Sequence, residues 1–145
     1  WRTLERLELE RRYAERMVLQ RLHQPVFRAR VMHAYVSTCA VCRLKHADLL
    51  DAAHIISDAN VEGLAHVTNG IALCKIHHAA YDRNLLGITP DYEIRIDDDL
   101  LNEIDGPMLR HGLQDMHGMP LTLPAKRAEQ PSREALEARF AEFAA

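Results

Sequence analysis

The stretch CAVCRLKHADLLDAAHIISDANVEGLAHVTNGIALCKIHHAAYD, residues 39–82, decides the reading of this chain. It holds all three cysteines and five of the nine histidines of a 145-residue sequence. Cys39 and Cys42 stand at Cys-x-x-Cys spacing, and Cys74 and His77 at Cys-x-x-His spacing. Each pair lets one turn of backbone aim two ligands at a single ion. Together they make a Cys3His tetrahedral set that suits Zn2+ and, being closed, is structural. The competing reading is three buried free cysteines beside an unrelated histidine. A short irregular segment gains more from a staple, so Zn2+ is the expected cofactor.

The closed set leaves other polar residues of the stretch unused. His78 and Asp82 are four apart on an expected helix, so they share a face and can hold one ion from one side. One imidazole and one carboxylate leave most positions open to water and phosphate oxygens, as at a catalytic Mg2+ or Mn2+. His54, on the preceding expected strand, would face that ion and take a proton from an attacking water.

The segments DAAHI (51–55), TNGIALC (68–74) and IHHAAYD (76–82) resemble the HNH endonucleases, whose catalytic unit is the ββα-metal fold. Cys39, Cys42, Cys74 and His77 match the zinc-stapled branch of that family, close to its bacterial restriction-like members. The resemblance covers residues 39–96, and QPVFRARVMHAY (24–35) and the proline-punctuated tail look similar too. It implies a general base at His54, a brace at Asn69 that keeps the base oriented, a divalent-metal ligand at His78 and a further one at Asp82. Many members carry Asp or His immediately before the base, where this chain has Ala53. Asp51 is the alternative ligand. It lies three residues before His54, on the opposite face of an ideal strand, so Asp82 is favoured. The resemblance further implies DNA as substrate, 5′-phosphate and 3′-hydroxyl products, and a restriction or defence role. The start on Trp1 rather than Met and the basic N-terminal helix suggest an upstream DNA-recognition domain, one that could read modified bases as in similar restriction proteins.

The expected architecture is α+β. A ββα-metal (His-Me finger) core with structural zinc spans 37–97, after an N-terminal helical segment over 1–36 and before a C-terminal helical and irregular extension over 98–145. Leu4, Leu7, Tyr13, Met17 and Leu22 predict an amphipathic helix over 2–22 that breaks at Gln24-Pro25. A second helix follows, with Val26, Phe27, Val31, Ala34 and Tyr35 as its buried stripe. LLDAAHII predicts a strand, 58–68 a polar loop, and NGIALCKIHHAAYDRN a loop that turns into a helix at Asn69-Gly70. LLGITPDYEIRI predicts a hairpin, Asp97–Asp99 a helix start, and Ser132 the N-cap of a final helix.

At 48% hydrophobic and 27% charged this is the composition of one ordinary globular domain. It has neither a bilayer-length apolar run nor a cleavable leader pattern, so no membrane partner is expected. Thiols at metal-ligand spacing point to a reducing, cytoplasmic compartment. Residues 1–50 carry ten Lys/Arg against five Asp/Glu, and the rest carry eight against sixteen, so the front half can meet a polyanion. Arg28, Arg30, Arg83 and Arg95 are candidate phosphate contacts, or merely solvated charges. His33, His46, His66, His111 and His117 read as bystanders and Tyr81 as core. The N-terminal helix is a candidate homodimer surface. The rival to a nuclease is a zinc-stapled nucleic-acid-binding module without catalysis, which would have no use for His54, His78 and Asp82 together.

Overall fold

Arg, Glu and Leu, all good helix formers, dominate residues 2–22. A computed structural model, which describes residues 2–57, 63 and 65–145, carries one helix, α1, through Arg2–Ala34 with Pro25 inside it. The expected break at Gln24-Pro25 and the separate second helix are therefore not found. Proline removes one backbone donor and crowds the preceding turn, a cost of ~3 kcal/mol. Burial of Phe27, Val31 and Ala34 just downstream offsets it. Two hydrogen bonds from the Arg28 guanidinium, to the carbonyls of Leu50 (2.8 Å) and Ala47 (3.1 Å), add to that. Val26, one residue out of step with this stripe, is exposed rather than buried. Leu4, Leu7, Tyr13 and Leu22 are also exposed. The first half of the helix is laced by ion pairs such as Arg6–Glu10 (3.1 Å) and Glu8–Arg12 (2.9 Å).

Two strands follow, β1 (Leu50–His54) and β2 (Gly70–Cys74), antiparallel, with Leu50 opposite Cys74 and His54 opposite Gly70. The expected loop over the first part of NGIALC is instead strand β2. All five of its residues are buried, and a short run apolar on every side carries no period that distinguishes it from loop or helix. Most of the polar loop expected over 58–68 lies outside the described residues, and Val67–Asn69 forms a 3-10 turn into β2.

Helix α2 (Lys75–Asp82) leaves β2 without a connecting residue, which completes the ββα order. A hairpin of β3 (Leu86–Ile88) and β4 (Ile94–Ile96) and a short helix α3 (Asp98–Leu101) come next, where the sequence places them. The tail passes through a π-helical turn at Met108–Leu113 and ends in α4 (Arg133–Ala144), where the Ser132 hydroxyl accepts from the Ala135 amide at 3.2 Å. Arg139 of α4 lies over the ring of buried Tyr81, 4.7 Å from its centroid, and donates to the Tyr81 carbonyl at 2.6 Å. The last turn of α2 is thus capped by a cation from the tail. Among the described residues no helix is long and apolar enough to cross a membrane.

Gly70 sets how closely α1 approaches the sheet. A Cβ there would stand 2.5 Å from a Val31 methyl and 2.7 Å from the Phe27 ring. Gly70→Ala is therefore expected to destabilise the fold by ~1–3 kcal/mol through overpacking. Urea unfolding measures it, and an unchanged midpoint would contradict this packing.

Candidate active site

The Cys-x-x-Cys turn is built by main-chain bonds. The Cys39 amide donates to the Leu44 carbonyl, and the Arg43 amide to the Cys39 carbonyl, each at 2.9 Å. Arg43 takes a positive φ of 64° to close it. This turn is stitched to the sheet through the Ala40 amide and Ala72 carbonyl at 2.8 Å. Its sulfurs then meet the β2–α2 junction. The ligand atoms of Cys39, Cys42, Cys74 and His77 all lie within 4.8 Å of one another, and among the described residues they are the only such group of three or more. Nδ1 of His77 faces the sulfurs of Cys74 (3.1 Å) and Cys39 (3.7 Å). Its Nε2 donates to the Gly112 carbonyl at 2.6 Å. That bond leaves Nδ1 as the nitrogen turned to the thiols, where a bound metal would take the place of its proton.

The four groups also titrate together. Hydrogen bonds from Cys42 and Cys74 hold Cys39 far below the usual thiol range, against the effect of burial, while the bond to Cys39 pushes Cys42 up. Burial works against a charged His77, yet the Cys39 and Cys74 sulfurs prevail and raise its pKa to about 10. A pocket that draws thiolate and positive charge together suits a divalent soft-metal ion, so the residues fit a structural metal such as zinc.

His78 follows His77 directly, so the helix turns it toward a different neighbourhood. Its Nδ1 lies 2.8 Å from Asp51 Oδ2 and its Nε2 3.3 Å from Asp82 Oδ2. Asp51 also pairs with Lys75. Burial opposes ionisation of Asp51, but its bonds to His78 and Lys75 outweigh that and lower its pKa. Asp51 makes the shorter contact and is 26% exposed, against 60% for Asp82. Strand alternation is the reason. Positions 51 and 53 share the face that α2 covers, so Asp51 reaches where a residue at 53 would.

His54 lies on the other face of β1, where its ring stacks on Phe27 with centroids 4.0 Å apart and planes 7° from parallel. Asn69 works on the strand's main chain. Its Oδ1 accepts from the Ile56 amide at 2.9 Å, and its Nδ2 donates to the Ile56 carbonyl at 3.0 Å. This buried amide extends the ladder two residues past His54.

Three of the four arginines singled out in the sequence are engaged within the chain. Arg28 holds Ala47 and Leu50, Arg30 donates to the Ala65 carbonyl at 3.2 Å, and Arg95 pairs with Glu93 at 3.2 Å. Arg83 is exposed just past α2. Sequence reasoning missed the Gly112 carbonyl, for which a backbone atom gives no signal, and the stacking partner Phe27.

A strand pair running straight into a helix, with sulfur ligands at the join and an imidazole between carboxylates on the helix, is the organisation of a metal-stapled ββα nuclease core. Residues 39–89 match the model of the HNH endonuclease family, a match that supports a nuclease hydrolase. A solved structure described as a modification-dependent TagI restriction endonuclease is similar at 17% identity and a TM-score of 0.49. The match covers 77% of this chain and 35% of that one, so this chain spans about a third of that protein's length. No curated protein matches the sequence.

Two measurements follow from the geometry. Elemental analysis is expected to find one zinc per chain, and Cys74→Ala is expected to lose both the metal and cooperative unfolding; full zinc retention would remove Cys74 from the ligand set. Asp51 has a depressed pKa, so its stabilising contact is present above the unfolded carboxylate value near 3.8 and is lost as pH falls through the folded value. The stability gap between wild type and Asp51→Asn should accordingly narrow below about pH 4, as read by urea unfolding across pH.

Proposed function

We propose that this chain is the nuclease domain of a metal-dependent DNA endonuclease of the restriction or defence type. The observation that carries the reading is His78, held between Asp51 and Asp82 on the helix that the sulfur cluster anchors. His78 presents one ring nitrogen to each carboxylate, and either nitrogen, once without its proton, is a metal donor. Imidazole with carboxylate oxygen is a donor set that fits Mg2+ or Mn2+ with open positions. Held there, the ion would supply Lewis-acid stabilisation of charge developing on the scissile phosphate. The second carboxylate would then orient the ring through its remaining N–H.

The chain's own residues account for the rest. Among the described residues β1 pairs with β2 on one side only, so a phosphate along its other edge can meet side chains of both faces. From the opposite face to His78, a ring nitrogen of His54 takes the proton of the attacking water. Asn69, by clamping Ile56, holds the end of β1 so that His54 keeps its place. Cleavage leaves 5′-phosphate and 3′-hydroxyl ends. Target choice, including any choice of modified DNA, belongs to a recognition domain joined through α1, whose first half keeps Leu4, Leu7 and Leu22 exposed for a neighbour. One such site cuts one strand, so a double-strand break takes two copies or two nicks.

Plasmid incubated with Mg2+, Mn2+ or EDTA tests this. The expected result is nicking that requires the divalent ion and falls at least a hundredfold in His54→Ala while zinc stays bound. Asp51→Asn is expected to cost 10–100-fold and Asp82→Asn less. DNA binding without cleavage in every ion would instead make the chain a zinc-stapled binding module.

A further inference from the structure

The sheet's pairing of His54 with Gly70 makes a socket for α1. Gly70 has no side chain, and the space a Cβ would fill is taken by Val31 and the fully buried ring of Phe27. Phe27 lies face to face against His54 at 4.0 Å and 7°. Such overlap covers one face of the imidazole with hydrocarbon. Rotation of the imidazole about its Cβ–Cγ bond would drive it into the phenyl ring, so the stack selects a ring plane.

The next residue reinforces this. Arg28 holds the carbonyls of Leu50 and Ala47, so adjacent residues of α1 grip β1 at its entry and at its exit. Tyr35, two turns on, donates to the Gly70 carbonyl at 3.3 Å. Asn69 fixes the main chain just beyond His54. The main chain and the ring plane of His54 are therefore set by separate devices.

The geometry points to Phe27 as a positioning residue for His54, through which helix α1 sets the orientation of the imidazole that receives the proton. This rests on the reading of His54 as the general base. The backbone of β1 alone would leave the ring a choice of rotamers, and proton transfer demands a hydrogen-bond reach of ~3 Å that most of them do not offer.

Phe27→Leu and Phe27→Met keep apolar bulk and remove the stack; Val31→Ala shortens a neighbouring core residue of the same helix and leaves the stack in place. The first readout is the NMR shift of the His54 ring C–H protons, which a stacked phenyl ring moves upfield. The upfield shift should be present in the wild type and in Val31→Ala, and lost in both Phe27 variants. The second is metal-dependent plasmid nicking well below the unfolding midpoint. Both Phe27 variants should lose at least tenfold in kcat with KM for DNA and zinc content unchanged, and Val31→Ala should keep kcat despite lower stability. Retained kcat in the Phe27 variants, or an equal loss in Val31→Ala, would overturn the positioning role. If His54→Ala itself cleaves normally, the base assignment fails first, and the two failures are told apart.

Discussion

Three thiols and one imidazole from two chain segments more than thirty residues apart converge at the junction of β2 and α2, and the rest of the molecule is arranged around that convergence. Among the described residues two two-stranded sheets, one long helix and a few short ones enclose a modest core, and an isolated strand pair is marginal in water. A bound soft-metal ion converts part of its binding free energy into folding free energy. Held by the four ligands, such an ion would fix the Cys39–Cys42 turn, the end of β2 and the first turn of α2 with one set of bonds. The tail is tied to the same point, because the Gly112 carbonyl takes the second nitrogen of His77.

The consecutive histidines of α2 face different neighbourhoods. His77 is buried and turned to sulfur, whereas His78 is 27% exposed and turned to oxygen. Hard and soft donors are thereby separated by a single residue, and each neighbourhood suits a different ion. Arg139 caps the far end of the helix through the Tyr81 carbonyl, one residue from Asp82. A helix of eight residues, too short to be stable alone, is held at both ends and so presents its polar face in a fixed frame.

Cysteine spacing was the most legible feature of the chain, because ligand chemistry is local and each pair spans one turn. The ββα order was legible through resemblance rather than through periodicity: GIALC is apolar throughout and gives no pattern, so its strand character emerges only from pairing with β1. The continuity of α1 through Pro25 was hidden for a related reason. Proline's cost is local and visible in sequence, while the burial of Phe27 and Val31 that offsets it is tertiary. Asp51 was legible only as an alternative ligand. Its place on the strand face of Ala53 was legible, and its parity against His54 weighed in favour of Asp82, while the contact with His78 emerges only from the packing of α2. The stack of Phe27 on His54 joins residues that no local pattern connects.

The central claim is that two chemically distinct ions are held side by side on one short helix. Anomalous diffraction from crystals of the zinc-loaded protein soaked in Mn2+, recorded at the zinc and manganese edges, tests it most directly. The account predicts a zinc peak among Cys39, Cys42, Cys74 and His77, and a separate manganese peak against His78 with Asp51 or Asp82. A zinc peak alone, or manganese bound away from His78, would contradict it.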